Sequence, residues 1–176
     1  HPMAMGSPFF ANIPLDKHGL EFIDAPLAAA HPLDNGETAI LSKSIKDTAD
    51  ALGTDGQRYM SLVAPLVESW PKIAFDVMSP LHFPKHPLLM AKFGLNAMKS
   101  ASWIANRFST EKAKGLWAGM AAHSIQPLTN YSSAAIGMVL SAVGHIHGWP
   151  IPKGGSQSIA NALASYFTSL GGKIET

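Results

Sequence analysis

Apolar positions follow two different periods along the chain. From Ser42 onward they recur every three to four residues, which predicts a helix over 43–52 ending at Gly53 and a second from Asp55 punctuated by Pro65 and Pro71. Further helices are expected over 87–106, 110–123, 133–147 and 156–170. Residues 1–41 lack that period and are rich in proline and glycine. There, Ala28-Ala29-Ala30-His31-Pro32 and Thr38-Ala39-Ile40-Leu41 flank Asp34-Asn35-Gly36-Glu37, a β-hairpin signal, because Asn and Gly tolerate the positive φ of a tight turn. Leu20-Glu21-Phe22-Ile23 reads as a third strand. After 156–170, Gly171-Gly172 stops the helix, and Lys173-Ile174-Glu175-Thr176 alternates as a strand would. The expected fold class is α+β and mostly helical: a small N-terminal hairpin and strand region followed by a helical bundle. No repeat or linker divides the chain, so 1–176 reads as a single domain.

Two helices carry legible faces. Over 87–106, Met90, Phe93, Ala97, Ala101 and Ile104 share one side, while Lys92 and Lys99 lie opposite, continuing from Lys85. That pattern suits a solvated amphipathic helix or peripheral contact with a membrane surface. Over 133–147, Ser133, Gly137, Ser141 and Gly144 form a stripe of small residues. Interior helical glycine costs about 1 kcal/mol relative to alanine, so close packing of another helix or of a flat ligand should compensate. The apolar run 134–144 is about half of the roughly 20 residues a bilayer span needs, which makes it a buried helix.

Composition sharpens this picture. Apolar residues make up 47% of the 176, there are 13 basic and 12 acidic side chains, and there is no cysteine. Disulfides and thiolate metal sites are excluded, and a net charge of +1 gives no general reason to expect nucleic acid as a partner. Charged residues are only 14% of the chain, against about 25% in a typical domain. Such a surface implies oligomerisation or cover from other parts of a larger protein. The start at His1, with no basic and apolar leader, reads as an excision point within a cytoplasmic protein.

The candidate chemistry is sparse. His145 and His147 stand two apart on a helix and point to different sides, so no metal site is expected. Pro84 separates His82 from His86, leaving both in a loop. Gly154-Gly155-Ser156-Gln157-Ser158 lacks the last glycine of a hydrolase nucleophile elbow. Ser156 instead reads as the N-cap of a helix whose Ile159, Leu163, Tyr166 and Leu170 share a face. The two preceding glycines suit either a ligand-facing turn or a loop needing conformational freedom. No Gly-x-Gly-x-x-Gly follows a strand, so the usual pyrophosphate site is absent.

The segment from Trp149-Pro150-Ile151-Pro152-Lys153-Gly154-Gly155-Ser156 through Ser169-Leu170-Gly171-Gly172-Lys173-Ile174 resembles the middle of the phytoene dehydrogenase-like flavoproteins. His1-Pro2, Gly6-Ser7-Pro8-Phe9-Phe10, Leu15, His18-Gly19-Leu20 and His31-Pro32-Leu33-Asp34 are similar to the bacterial members. The resemblance implies the substrate-side domain of an FAD-dependent oxidoreductase that desaturates an apolar small molecule by hydride transfer to flavin. The chain would then be a fragment whose flavin-binding domain, and with it the FAD, lies elsewhere in the parent. On this reading Trp149, Pro152, Gly154, Gly155, Ser156 and Gln157 face cofactor or substrate, and Trp103, Trp117 and Met138 line an apolar cavity. No catalytic acid or base carries over, in keeping with a flavin that accepts hydride itself. The alternative is a non-catalytic helical binding or assembly module.

Overall fold

The computed structural model describes residues 1–175 and is mostly helical with four short strands. The α+β class expected from the sequence holds. Two short helices, α1 (Pro2–Met5) and α2 (Pro8–Ala11), and a 3-10 turn at Leu15–His18 occupy the opening where no helix was expected. Each α-helix there begins on proline, whose missing N–H costs nothing in a first turn. Strands β2 (Ala29–Pro32) and β3 (Thr38–Leu41) form the predicted antiparallel hairpin, with His31 opposite Ala39. Gly36, at φ +83°, supplies the left-handed residue of its turn. The third strand exists as β1 (Phe22–Ile23), but its partner is β4 (Ile151–Pro152) and not the hairpin. That pairing ties the opening of the chain to its last quarter.

Helix α3 (Ile45–Leu52) starts on Ser44, whose hydroxyl accepts from the Asp47 amide at 3.1 Å. Helix α4 (Gly56–Met78) runs through both of its prolines. The expected single helix over 87–106 is broken into α5 (Pro87–Ala97) and α6 (Ala101–Ala105). The break has a use. The carbonyls of Met98 and Lys99 accept from the amides of Ser132 and Ala134, and the Ser133 hydroxyl accepts from the Ala101 amide at 2.8 Å. A continuous helix would leave those donors at the start of α8 unpaired.

Helix α7 (Glu111–Ala122) is capped by Thr110, and α8 (Ser133–His147) runs through the centre, packed on α1, α4, α5, α6 and α7. It is the buried helix that the sequence implied. A Cβ at Gly137 would lie 3.1 Å from the Ala121 Cβ and 3.2 Å from the Trp117 ring, and one at Gly144 would lie 2.9 Å from Leu41. Close packing of α7 and β3 thus accounts for the glycines of the small-residue stripe. The main core gathers Tyr59, Trp70, Trp117 and Met138 with the apolar residues around them.

Helix α9 (Gln157–Ser169) stands apart from that core. It packs on the 3-10 turn in a separate cluster of Leu15, Leu20 and Ala162, joined by Ile159, Leu163 and Tyr166. Leu170, expected on the same face, is exposed. Residues 172–175 form no strand; the last residue of the strand expected there lies outside the described residues.

Candidate functional site

Between α4, α5, α6 and α8 lies a cavity of about 180 Å³. Its apolar wall comes from Leu62, Leu66, Ile73, Phe93, Phe108 and Met138, and its rim carries Arg58, Ser61, Ser69, Lys92, Asn96 and Arg107. The local sequence explains the space. Ser61, Pro65 and Ser69 recur every fourth residue of α4 and line the cavity, so one helix face is cut back to small side chains. The Ser61 and Ser69 hydroxyls donate to the carbonyls of Gln57 at 2.8 Å and Pro65 at 2.5 Å, satisfying each within its own helix. Across the gap, α5 turns Leu89 and Phe93 inward.

The rim is electropositive. Arg58 is anchored: its guanidinium donates to the Arg107 carbonyl and lies 3.4 Å from the Asp55 carboxylate. Among the described residues neither Lys92 nor Arg107 forms an ion pair. An elongated apolar group would fill such a wall, and an anionic or polar head would match the rim. Placement of the cavity was not read from the sequence, although the four-residue recurrence of Ser61, Pro65 and Ser69 was a signal for it.

The residues expected to line an apolar cavity separate. Met138 reaches this one. Trp117 does not: it is buried in solid core, its indole N–H donating to the Ala101 carbonyl at 2.9 Å. Trp103 lies outside, 46% exposed, with the Lys99 ammonium 3.8 Å from its ring centroid and the Arg107 guanidinium at 5.4 Å. Four residues beyond Lys99, it stands on the lysine-bearing side opposite Ile104, so spacing alone sets it away from the inner face.

The segment 149–157 lines no part of this cavity. Trp149 is half-buried, its ring centroid 5.7 Å from that of His123, and Pro152 is buried opposite Phe22. Gly154, Gly155, Ser156 and Gln157 are exposed. The Gly155 amide donates to the Pro152 carbonyl at 2.9 Å, closing a turn in which Gly154 and Gly155 sit at φ +83° and +92°. Both glycines are therefore required by backbone conformation. The Ser156 hydroxyl makes no cap; it pairs with the His1 imidazole at 2.8 Å. Gln157 donates along its own helix to Asn161 at 3.1 Å.

Both sheets of the described residues are two-stranded and antiparallel, unlike the open parallel sheet whose strand ends form a dinucleotide crevice. Among the described residues no group of three metal-ligating side chains converges. His145 instead completes a buried contact: its Nδ1–H donates to the Lys43 carbonyl at 3.3 Å, and its Nε2 accepts from the Tyr59 hydroxyl at 2.8 Å. His82 pairs with Asp76 at 2.8 Å. Among the described residues, no helix is long and apolar enough to cross a membrane. Comparison with family models, with curated proteins and with solved structures finds no match to this chain.

Proposed function

We propose that this chain is the part of a cytoplasmic FAD-dependent oxidoreductase, resembling phytoene dehydrogenase, that binds an apolar substrate. The observation that carries the ligand class is the cavity between α4, α5 and α8, with its apolar wall and cationic rim. The flavin part rests on the resemblance at 149–174 and across the opening residues. On this reading the FAD is held by another part of the protein, and this chain binds and orients the substrate and keeps water from it. A non-catalytic helical binding module would use the same cavity without oxidising its ligand.

Titration with cis-parinaric acid, a polyene with a carboxylate head, tests the ligand class. Saturable fluorescence enhancement is expected, and Ser69→Phe should weaken it at least tenfold by filling the cavity, with helical content unchanged. Equal binding by that variant would remove the cavity from the proposal. The flavin assignment has its own readout: added FAD should show no saturable change in fluorescence with this chain. Purification with stoichiometric flavin absorbance would overturn the placement of the cofactor elsewhere.

A further inference from the structure

The outer face of α5 is apolar where an independent helix would be polar. Leu88 is 88% exposed and Leu95 72%, with Met98 one turn further on, and Leu81 and Phe83 project from the loop leading into the helix. Soluble monomers rarely leave such side chains together without a use for them. Their charge environment is one-sided. Between Asp76 and Glu111 the chain carries Lys85, Lys92, Lys99 and Arg107 and no carboxylate. Asp76 itself is turned inward, accepting from the Lys85 amide at 3.2 Å and paired with His82. Glu68 is an exposed carboxylate on the neighbouring α4, and Lys72 stands four residues beyond it.

We propose that this face, the 79–86 loop with the outer side of α5, docks on a bilayer bearing anionic lipid headgroups. Leucines alternating with lysines along one helix face give apolar insertion and attraction to anionic lipid at the same depth. Trp103, half-exposed between Lys99 and Arg107, has the amphipathic character of an interfacial anchor. The long lysine side chains can keep their ammonium groups at the headgroups while the leucines go deeper. A nucleic acid would match the cations and leave Leu81, Phe83, Leu88 and Leu95 without partners. Because α5 also walls the cavity, through Leu89 and Phe93, docking would bring the binding site to the phase where apolar molecules dissolve. The docking itself does not depend on the cavity being occupied.

The test is co-sedimentation of the chain with vesicles of phosphatidylcholine and phosphatidylglycerol, and with vesicles of phosphatidylcholine alone, with no ligand added. Binding is expected on the anionic vesicles, weakened by salt. Each of Lys85→Gln and Lys99→Gln should lower the partition coefficient about fivefold at low ionic strength, the effect of roughly one basic residue near an anionic surface. Leu88→Ser and Leu95→Ser, at exposed positions where folding does not depend on the side chain, should lower it as well. Circular dichroism of each variant must match the parent. Equal binding to both vesicle types, no binding to either, or binding indifferent to all four substitutions would overturn the proposal. So would light scattering that shows a dimer dissolved by Leu88→Ser together with no vesicle binding, since the face would then join two copies. Cavity binding, read separately with parinaric acid, can fail or succeed without changing any of these outcomes.

Discussion

Asp55 is buried, yet its carboxylate joins two distant parts of the chain. It accepts from the amides of Ser109 at 2.8 Å and Thr110 at 2.7 Å, and from the Thr110 hydroxyl at 2.8 Å, so a side chain at the start of α4 organises the start of α7. Burial pushes the carboxyl up, but the Thr110 and Ser109 bonds and nearby Arg58 outweigh it and hold it below the ordinary aspartate range. Its contribution is present above that range and lost as pH falls through the folded value. Asp55→Ala should cost about 3 kcal/mol of unfolding free energy, since several charge-assisted bonds go at once and buried donors are left unpaired. Urea denaturation checks this, and a loss under about 1 kcal/mol would show that water replaces the carboxylate easily. From sequence, Asp55 marks a helix start, and the structure agrees on the place. Its side chain serves a different helix because Ser109 and Thr110, 54 and 55 residues away, come to it in three dimensions. Trp103 and Trp117 show a different limit. Residue type marks both as large apolar groups, but Trp103 stands four residues from Lys99 on the outer side and is exposed, while Trp117 is buried on α7 in the core.

At the scale of elements, short-range signals carried most of the reading. Periodicity and caps located α3, α7, α8 and α9, and the Asp-Asn-Gly-Glu turn located the hairpin. Two errors share a cause, which is that a distant segment took over a local preference: the α5 to α6 break feeds the start of α8, and the Ser156 hydroxyl goes to His1 and leaves α9 uncapped by it. The third strand holds as β1, and its partner β4 comes from the last quarter of the chain. The end of α7 offers a direct test of local conformation. Two residues after the C-cap at His123, Ile125 sits at φ +53° with its side chain almost wholly in solvent. Left-handed backbone costs an L-residue about 1–2 kcal/mol, and a β-branched one is a clear outlier there. Ile125→Gly should therefore stabilise the protein by about 1 kcal/mol, the relief of strain exceeding the added entropy of the unfolded chain. No buried contact is lost by the change. A thermal midpoint that falls would mean that Ile125 packs in solution.

Across the whole molecule, charge is segregated in a way that the net value of +1 hides. Asp16, Glu21, Asp24, Asp34, Glu37, Asp47 and Asp50 all lie in the first fifty residues, and the basic stretch of α5 and α6 lies in the middle. That division was legible in the sequence; the exposure of the leucines beside it was not, because amphipathic periodicity gives the inner face without saying whether the outer one is covered. Titration gives a molecule-wide prediction. Burial lowers the pKa of His145, against the pull of the Lys43 and Ser42 carbonyls; it lowers that of His31, helped by nearby His123, and that of His147, helped by Lys43. For His145 the geometry agrees, since a neutral ring donates to Lys43 and accepts from Tyr59. A histidine depressed in the folded state binds protons first when unfolded, so its stabilisation is complete above the ordinary value near 6.5 and is lost as pH falls below it. His82 works the other way. The Pro80 carbonyl and then Asp76 raise its pKa, so its contribution is complete below about 6.5 and fades as pH rises through the folded value. It lies near the surface, where solvent and salt screen it, while His145 is buried in the main core. The depressed histidines should therefore dominate, and the urea midpoint should fall steadily from pH 7.5 to pH 5.5, before the carboxylates begin to titrate. His145→Gln, which retains one donor and one acceptor, should start less stable and show a shallower fall over the same window. A flat midpoint in the parent protein, or an equal slope in the variant, would mean that His145 is protonated inside the folded core.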